Sequence, residues 1–292
     1  MSATQATCLI DCHNDLGEGL AWDAARQTLW WVDISGQQIH RLAQEVHTFW
    51  DVPVMPSALA PRRSGGVIVA AHGGLYTFTP DEGTGLAFEQ AVEIDLPFNR
   101  SNDGGADPQG RFWFGTMQNN LAPDKNPVSI ADDQGTLYRR EKNGAITPVI
   151  KGLGIPNTLC WFEDRFYFGD SMQGVIRCYT YDPIDGHLSD GRDFIHYDRG
   201  VPDGSAIDAQ GYLWNARWGG GCVARFAPDG SVDRIIDVPV PNVTNCCFGG
   251  PDLTTLYITT AARETPNAPA QAGGLFAVQT DIKGMADATC DD

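Results

Sequence analysis

The chain has 292 residues, of which 42% are hydrophobic, and this is enough for one large all-β domain or two smaller domains with packed cores. Its formal net charge of −17 argues against binding to nucleic acid or to an anionic membrane surface, since both need a basic protein surface. The first residues lack the basic start and apolar stretch of a signal peptide, no apolar run approaches the roughly 18 residues of a membrane span, and the cysteines lack metal-type or disulfide-type spacing. We therefore expect no signal peptide and a cytoplasmic protein with reduced thiols.

Short apolar strands recur six times along the chain. In order they are "TLWWVD", "GVIVAA", "RFWFGT", "RFYFGD", "YLWNAR" and "TLYITT". Most are followed by a turn and a second strand. Several short strands in each period of about 40–50 residues are typical of propeller blades, and frequent Gly and Pro interrupt every helical window. The sequence therefore predicts an all-β fold, a six-bladed β-propeller that forms a single domain over residues 1–292.

A position about ten residues ahead of each of these strands recurs from blade to blade, and in four blades it carries a carboxylate or an amide side chain. The six ring positions are Glu18, Ser57, Asn102, Asn157, Asp203 and Cys246. The first strand of a propeller blade lines the central channel, so these side chains should meet around the axis. Two carboxylates with two amide oxygens predict a site for Ca²⁺, Mg²⁺ or Mn²⁺. The alternative interpretation is that polar side chains cap the loops beside a water-filled channel.

Six motifs extend this pattern from residue 17 to about residue 261. They are "GEG", "NRSNDGGADPQGRFWFGTM", "PNTLCW", "DSMQG", "PDGSAIDAQGYLW" and "NCCFGGPDLTTLYITTA". In order and spacing the chain resembles the senescence marker protein/gluconolactonase family, the regucalcin-like sugar lactonases. The resemblance implies a six-bladed propeller that hydrolyses a sugar lactone with the help of a divalent metal.

The resemblance also implies the roles of individual residues. One divalent cation is expected at Glu18, Asn157 and Asp203, with Ca²⁺ the first choice and Zn²⁺, Mn²⁺, Mg²⁺ or Fe²⁺ as alternatives. The lactone carbonyl would be polarised by this cation, and Asp203 would also be the catalytic base that takes a proton from water. Arg100 and Asn102 would bind the substrate. The predicted function is hydrolysis of an aldonolactone (gluconolactone-, xylonolactone- or arabinolactone-like) to its aldonic acid in carbohydrate catabolism, by a monomer or small homo-oligomer.

A residue count across the blade hairpins extends the predicted site. Asp203 should face Ala216, which places Arg217 at the rim of the channel. Arg217 is predicted to bind an anionic group of the substrate (phosphate, sulfonate or carboxylate) or to pair with a carboxylate of the site. Asp33 and Asp170 should lie at the same level, either supporting the metal ligands or making ordinary hydrogen bonds at strand ends.

Two long polar segments, 118–135 and 262–273, should follow second strands and lie over the same rim. Each is expected to be either a partial lid or a solvated loop. Where some relatives carry an acidic residue, this chain has Gln118, Asn119 and Asn120. Two other functions stay open. One is a calcium-binding propeller without catalytic activity, which would not need Arg100, and the other is a hydrolase of aryl esters or organophosphates.

Overall fold

The computed structural model describes residues 4–80, 85–122, 124, 126–265, 267 and 269–291. Six sheets are arranged as the blades of a β-propeller, which confirms the predicted fold class. Their innermost strands contact one another in a closed cycle around a central channel. No helix in the described part of the chain is long and apolar enough to span a membrane.

Four antiparallel strands form each of the first three blades. Two short strands, β1 (Thr4–Gln5) and β2 (Thr7–Ile10), precede them. Blade one contains β3 (Gly17–Asp23), β4 (Thr28–Asp33), β5 (Gln38–Ala43) and β6 (Val46–Asp51). Blade two contains β7 (Pro56–Pro61), β8 (Val67–Ala71), β9 (Gly74–Thr79) and β10 (Gly85–Ala91). Blade three contains β11 (Asn99–Ala106), β12 (Phe112–Gln118), β13 (Gly135–Arg140) and β14 (Ile146–Leu153).

The last three blades follow the same plan, except that the outermost strand of blade six comes from the N-terminal part of the chain. Blade four contains β15 (Pro156–Phe162), β16 (Arg165–Asp170), β17 (Val175–Tyr181) and β18 (Leu188–His196). Blade five contains β19 (Val201–Ile207), β20 (Leu213–Trp218), β21 (Cys222–Phe226) and β22 (Val232–Asp237). Blade six contains β23 (Val243–Gly249), β24 (Thr255–Thr260) and β25 (Leu275–Gln279), and its outermost strand is β2.

The ring of blades is closed by the N-terminal part of the chain. Strand β2 pairs antiparallel with β25, with Thr7 opposite Ala277, while β1 pairs parallel with β22 of blade five. Strands β2 and β25, which are far apart in the chain, therefore share one sheet, and opening the ring would expose unpaired strand edges. From this closure we infer that the chain forms one domain.

Hydrophobic side chains fill the interfaces between adjacent blades. Among the residues that the structure describes there are six buried clusters, one at each of the six interfaces around the ring. Each sheet is covered on both faces by its neighbours, so inner strands such as β4 are buried at every position. This two-sided burial explains why the inner strands appear in the sequence as continuous apolar runs rather than as an alternating pattern.

A β-bulge interrupts the innermost strand of every blade close to the ring position. The register shifts lie between Glu18 and Ala21, Pro56 and Ala58, Ser101 and Gly104, Asn157 and Leu159, Pro202 and Ser205, and Val243 and Asn245. In blade one the bulge requires glycine, because Gly19 has φ of 60° and a Cβ there would lie 2.9 Å from the carbonyl oxygen of Ser57. Bulges re-aim side chains, and here they accompany the polar positions around the channel.

Buried aspartates fix the hairpins of blades three and five. In blade five the carboxylate of Asp208 accepts hydrogen bonds from the backbone amides of Gln210 and Tyr212, from Trp214 Nε1 (2.9 Å) and from Arg225 Nε (2.8 Å). Asp107 makes the equivalent contacts in blade three. The shared "D-x-Q-G" turn is therefore a structural motif that anchors one Trp and one Arg side chain.

We expect Asp208→Ala to lower the free energy of unfolding by about 3–5 kcal/mol, because it leaves the buried Arg225 with one carboxylate partner fewer. The measurement is urea unfolding monitored by tryptophan fluorescence. The control is Asp229→Ala in the same blade, where the carboxylate contacts Ser231 in an exposed turn and the expected change is within about 0.5–1 kcal/mol. Similar losses in the two variants would contradict the structural role.

Candidate metal and lactone site

A cavity of about 200 Å³ lies at one end of the central channel. Its wall includes the four oxygen-bearing ring residues, which are Glu18, Asn102, Asn157 and Asp203. All four are at least nine-tenths buried. The propeller thus brings together side chains that are far apart in the chain, as the register of the blades predicts.

The carboxyl groups of Glu18 and Asp203 are close enough to interact electrostatically. Burial, and after it the nearby carboxylate of Asp103, raises the pKa of Glu18 to about 8. Burial, followed by the charge of Glu18, raises the pKa of Asp203 well above its usual range. Two buried carboxylates in contact repel each other when both are ionised, so a cation between them would favour the ionised forms.

The amide groups of the ring have fixed orientations. Asn157 Nδ2 donates to Ser171 Oγ (2.7 Å), and Ser171 Oγ donates to the carbonyl oxygen of Pro202 (2.6 Å). The Asn157 oxygen is thereby turned toward Asn102, whose Nδ2 donates to it at 3.2 Å. The Asn157 oxygen is therefore one candidate amide ligand for a cation, while the Asn102 oxygen already accepts a hydrogen bond from Arg100.

Arg100 connects the ring to the polar segment 118–135. Its Nη1 donates to Asn102 Oδ1 (2.8 Å) and to the carbonyl oxygen of Ser101 (2.8 Å), and its Nη2 donates to Asn120 Oδ1 (2.9 Å). The side chain is buried, and burial lowers the pKa of Arg100 to about 10, with the charge of Arg263 acting in the same direction. Arg100 and Asn120 both line the cavity, so segment 118–135 contributes directly to its wall.

The structure contradicts the predicted substrate contact of Arg217. Its guanidinium donates to the carbonyl oxygens of Tyr197, Arg199 and Gly200 and to Asn215 Oδ1, at distances of 2.6–3.1 Å. The side chain is almost completely buried and does not line the cavity. Arg217 therefore ties the loop between blades four and five to β20.

The residue count across the hairpin predicted the strand register of Arg217 correctly, but it did not predict the direction of its side chain. Pro202 pairs with Arg217 and Ser205 pairs with Asn215, which leaves Asp203 and its bulge partner opposite Ala216, as predicted. Successive side chains of a strand point to opposite faces. Trp218, the next residue, lines the cavity instead.

The ring positions of blades two and six do not provide ligands. Ser57 lies in its bulge, but its Oγ is hydrogen bonded to Ser101 Oγ (2.6 Å). Cys246 is not a ring residue, since it pairs with Ile258 and is buried in a hydrophobic cluster. In its place Asn245 reaches the ring, with Nδ2 3.4 Å from Glu18 Oε2.

Asp33 and Asp170 support the wall of the cavity through the backbone. Asp170 accepts hydrogen bonds from the amides of Gly154, Ile155 and Met172, and the last two of these residues line the cavity. Asp33 likewise accepts from the amide of Leu16, another wall residue. Both aspartates shape loops at the rim rather than contacting the side chains that could bind a metal.

Two further wall residues, Arg263 and Glu264, come from the segment 262–273 after β24. The sequence pattern placed this segment over the rim but did not single out these side chains; positions 266 and 268 lie outside the described residues. No group of three or more His, Cys, Asp and Glu suited to a metal occurs in the described part of the chain. A cation here would therefore need amide oxygens as well as the two carboxylates.

Comparisons with known proteins agree with this architecture. Residues 16–262 match the family model described as the SMP-30/Gluconolactonase/LRE-like region. The chain is 34% identical over 295 residues to pentonolactonase XacC of Haloferax volcanii, with 95% of each protein covered. It is 31% identical to regucalcin of Xenopus laevis, with 98% of each covered. The solved structure of regucalcin from Agrobacterium tumefaciens, a calcium-binding protein, matches with a TM-score of 0.89 and 30% identity over 99% of both chains.

Proposed function

Because the chain belongs to the SMP-30/gluconolactonase/LRE-like family, we propose that it is a divalent-metal-dependent sugar lactonase that converts an aldonolactone to the aldonic acid. It is a lactone-hydrolysing enzyme, a carboxylic-ester hydrolase. The observation that carries the metal-dependent part of the proposal is the meeting of Glu18, Asn157 and Asp203 in one cavity wall beside Arg100. Gluconolactone, xylonolactone and arabinolactone are the substrates to test first.

The donor set suits a hard divalent cation. Two carboxylates and an amide oxygen are the ligands that Ca²⁺, Mg²⁺ and Mn²⁺ prefer, and none of the three donors is sulfur or imidazole. We propose Glu18, Asn157 and Asp203 as the ligands and Ca²⁺ as the first metal to test, with Zn²⁺, Mn²⁺, Mg²⁺ and Fe²⁺ as alternatives. When bound, the cation would supply the positive charge that polarises the lactone carbonyl.

The remaining chemistry falls to side chains of the cavity. Asp203, when ionised, takes a proton from the attacking water as the water oxygen bonds to the carbonyl carbon. The bond from this carbon to the ring oxygen then breaks, and the ring oxygen takes up the proton held by Asp203 to become the hydroxyl of the open-chain acid. Arg100 and Asn102 offer hydrogen-bonding groups to sugar oxygens, and their mutual hydrogen bond holds them in place.

Apolar residues in the cavity wall restrict the orientation in which the sugar lactone can bind. Ile155, Met172 and Trp218 line the cavity alongside the polar residues. They would present carbon atoms to the faces of the sugar, and they are more exposed than the buried polar residues of the ring positions. Binding sites of this type combine an apolar wall with a few placed polar groups.

The free cysteines of the protein are typical of a reducing compartment. All eight cysteines lie in the described part of the structure and none forms a disulfide. Disulfides are rare in cytosolic proteins, and we accordingly propose a cytoplasmic location.

The proposal predicts acid release from a panel of glucono-, xylono- and arabinonolactone in the presence of each candidate metal. We expect the highest kcat/KM on one of these lactones and a much lower value on an aryl phosphotriester. Asn157→Ala should lose most of the activity, while Asp229→Ala, an exposed change in blade five, should keep it. Acid release no faster than in protein-free buffer would favour a non-catalytic calcium-binding propeller. A higher kcat/KM on the phosphotriester would favour the organophosphatase alternative.

A further inference from the structure

Thr158 has an unusual backbone conformation beside the proposed metal site. It directly follows Asn157 in the β-bulge of blade four, and its φ is 56°. A β-branched residue in this left-handed region is strained, and such strain tends to occur where a structure has a functional use for it. Within the described ranges of the chain, Thr158 is the one residue other than glycine that combines a positive φ with burial, and its exposure is 0%.

The equivalent position of blade one carries glycine. Gly19 directly follows Glu18 in the bulge of that blade, and its φ is 60°. A left-handed residue therefore follows a proposed metal ligand in both blades. Glycine adopts this conformation without strain. Because blade four keeps the same conformation with a threonine, the side chain of Thr158 is the feature to be explained.

The hydroxyl group of Thr158 contacts the backbone of the proposed catalytic base. Its Oγ1 donates to the carbonyl oxygen of Asp203 at 2.6 Å and lies 3.0 Å from Ser205 Oγ, and both of these residues belong to β19 of blade five. Asn215 Nδ2 donates to the same hydroxyl at 3.2 Å and to the carbonyl oxygen of Asp203 at 2.9 Å. The hydroxyl therefore connects the bulges of the two blades that carry Asn157 and Asp203.

A second hydroxyl of blade four holds the peptide group that precedes Asp203. Ser171 Oγ accepts a hydrogen bond from Asn157 Nδ2 (2.7 Å) and donates to the carbonyl oxygen of Pro202 (2.6 Å). The peptide groups on both sides of Asp203 are thus bonded to hydroxyls of the neighbouring blade. These contacts restrict the backbone of Asp203 and with it the direction in which its carboxylate extends.

We propose that Thr158 is a positioning residue whose hydroxyl fixes the carboxylate of Asp203 relative to the amide oxygen of Asn157. This inference rests on the proposed lactonase function and concerns how its metal ligands and its base are held together. Glycine at this position would relieve the strain. It would also remove one of the two hydrogen bonds that the carbonyl oxygen of Asp203 accepts from Thr158 and Asn215.

The test compares Thr158→Val, which keeps the branched shape but removes the hydroxyl, with Thr158→Ser, which keeps the hydroxyl. Calorimetry gives the Ca²⁺ affinity, and steady-state kinetics at saturating Ca²⁺ gives kcat and KM on the best lactone of the panel. We expect Thr158→Val to lower kcat by about 10–100-fold and to weaken Ca²⁺ binding by up to about 10-fold. KM should change little, because Thr158 does not line the cavity. Thr158→Ser should stay close to wild type in all three quantities.

Thr158→Gly removes the hydroxyl and the strain together, so it decides the question even if Thr158→Val does not fold. It should lose kcat and Ca²⁺ affinity although its backbone conformation is favourable. Thr28→Val is the matched control, because it also removes a buried hydroxyl that donates to a carbonyl oxygen, that of Arg26 (3.0 Å), in the hairpin at the far end of blade one. This control should leave kcat and Ca²⁺ affinity unchanged.

Wild-type kcat and Ca²⁺ affinity in Thr158→Gly, or in a folded Thr158→Val, would overturn the positioning role. Equal losses in Thr158→Ser and Thr158→Val would also overturn it, since the hydroxyl would then not account for the effect. A lower free energy of unfolding with unchanged kcat would assign Thr158 to the stability of the fold alone. If wild type hydrolyses no lactone, the proposed function is rejected, while the Ca²⁺ affinities of the variants still decide whether Thr158 positions the ligands.

Discussion

Asp203→Asn is expected to lower kcat for lactone hydrolysis by about 10²–10⁴-fold while the protein still binds its divalent cation. The amide keeps an oxygen that can contact the cation, but it cannot accept a proton from water at neutral pH. The backbone of Asp203 is held independently of its carboxylate, because its carbonyl oxygen accepts hydrogen bonds from Thr158 Oγ1 (2.6 Å) and Asn215 Nδ2 (2.9 Å). The position of residue 203 should therefore survive the substitution.

Glu18→Gln is the matched comparison, because it makes the same chemical change in the neighbouring carboxylate. If Asp203 is the base, this variant should weaken cation binding more than it lowers kcat at saturating metal. Calorimetry gives the metal affinity of both variants, and steady-state kinetics at saturating metal gives kcat. Near-normal turnover of Asp203→Asn, with a severe loss in Glu18→Gln, would transfer the base to Glu18.

Removal of the cation should abolish turnover and make the stability of the protein depend on pH. The folded protein holds the pKa of Glu18 at about 8 and that of Asp103 at about 7, both above the ordinary carboxyl values. A carboxyl group with a raised folded pKa binds more protons in the folded state than in the unfolded state. The contribution of this group to the free energy of unfolding is therefore fully present below the pKa of the unfolded state, and it is lost as pH rises through the pKa of the folded state.

The cation-free protein is accordingly expected to show a lower Tm at pH 8.5 than at pH 7. The buried His40 does not contribute to this difference, because burial lowers its pKa to about 3 and it stays neutral between pH 7 and 8.5. Bound Ca²⁺ should remove this pH dependence and raise Tm, because it stabilises the ionised carboxylates and binds only the folded state. Calcium affinity should rise with pH over the same interval.

Thermal unfolding with and without chelator, at both pH values, measures these effects. Glu18→Gln cannot ionise at this position, so its cation-free Tm should depend less on pH than that of wild type. Full activity after exhaustive chelation, with no metal found by elemental analysis, would contradict the metal requirement. So would identical pH profiles of Tm in the presence and absence of calcium.

The number of blades and the meeting of the ring side chains in one cavity wall could be predicted because each depends on a repeat. Every blade must bury both faces of its sheet, so the apolar strands recur visibly in the sequence. The ring side chains come together because equivalent positions of a propeller meet at the axis. Asn102 and Asp203 occupy the same place in two nearly identical motifs, and the structure brings both into one cavity wall.

Two predictions were wrong because a residue count determines neither the direction of a side chain nor the length of a turn. Arg217 lies at the predicted level of its strand, but its side chain points away from the cavity and toward Tyr197. In blade six the turn is one residue longer than assumed, so Asn245 lies 11 residues before Leu256, the same spacing that separates Glu18 from Leu29 in blade one. This shift replaced Asn245 by Cys246 in the prediction.

Arg263 could not be predicted as a wall residue because it belongs to a long connection without regular strand pairing. Between β24 and β25 no repeat relates this segment to the other blades, and its path depends on tertiary contacts. One of these is the hydrogen bond from Asn242 Nδ2 to the carbonyl oxygen of Arg263 (2.9 Å). Such contacts join residues that nothing in the local sequence connects.

The closure of the ring by β2 also dictates when the protein can finish folding during its synthesis. Thr7 emerges early from the ribosome, but its partner Ala277 follows 270 residues later. At roughly 5–20 residues per second this delay is on the order of 10–50 s, during which the N-terminal strand has no sheet to join. Glu18 and Asp203 are likewise separated until the blades between them have formed. The nascent chain therefore carries exposed strand edges until blade six is made, and the proposed metal ligands can meet only after Asp203 has been synthesised.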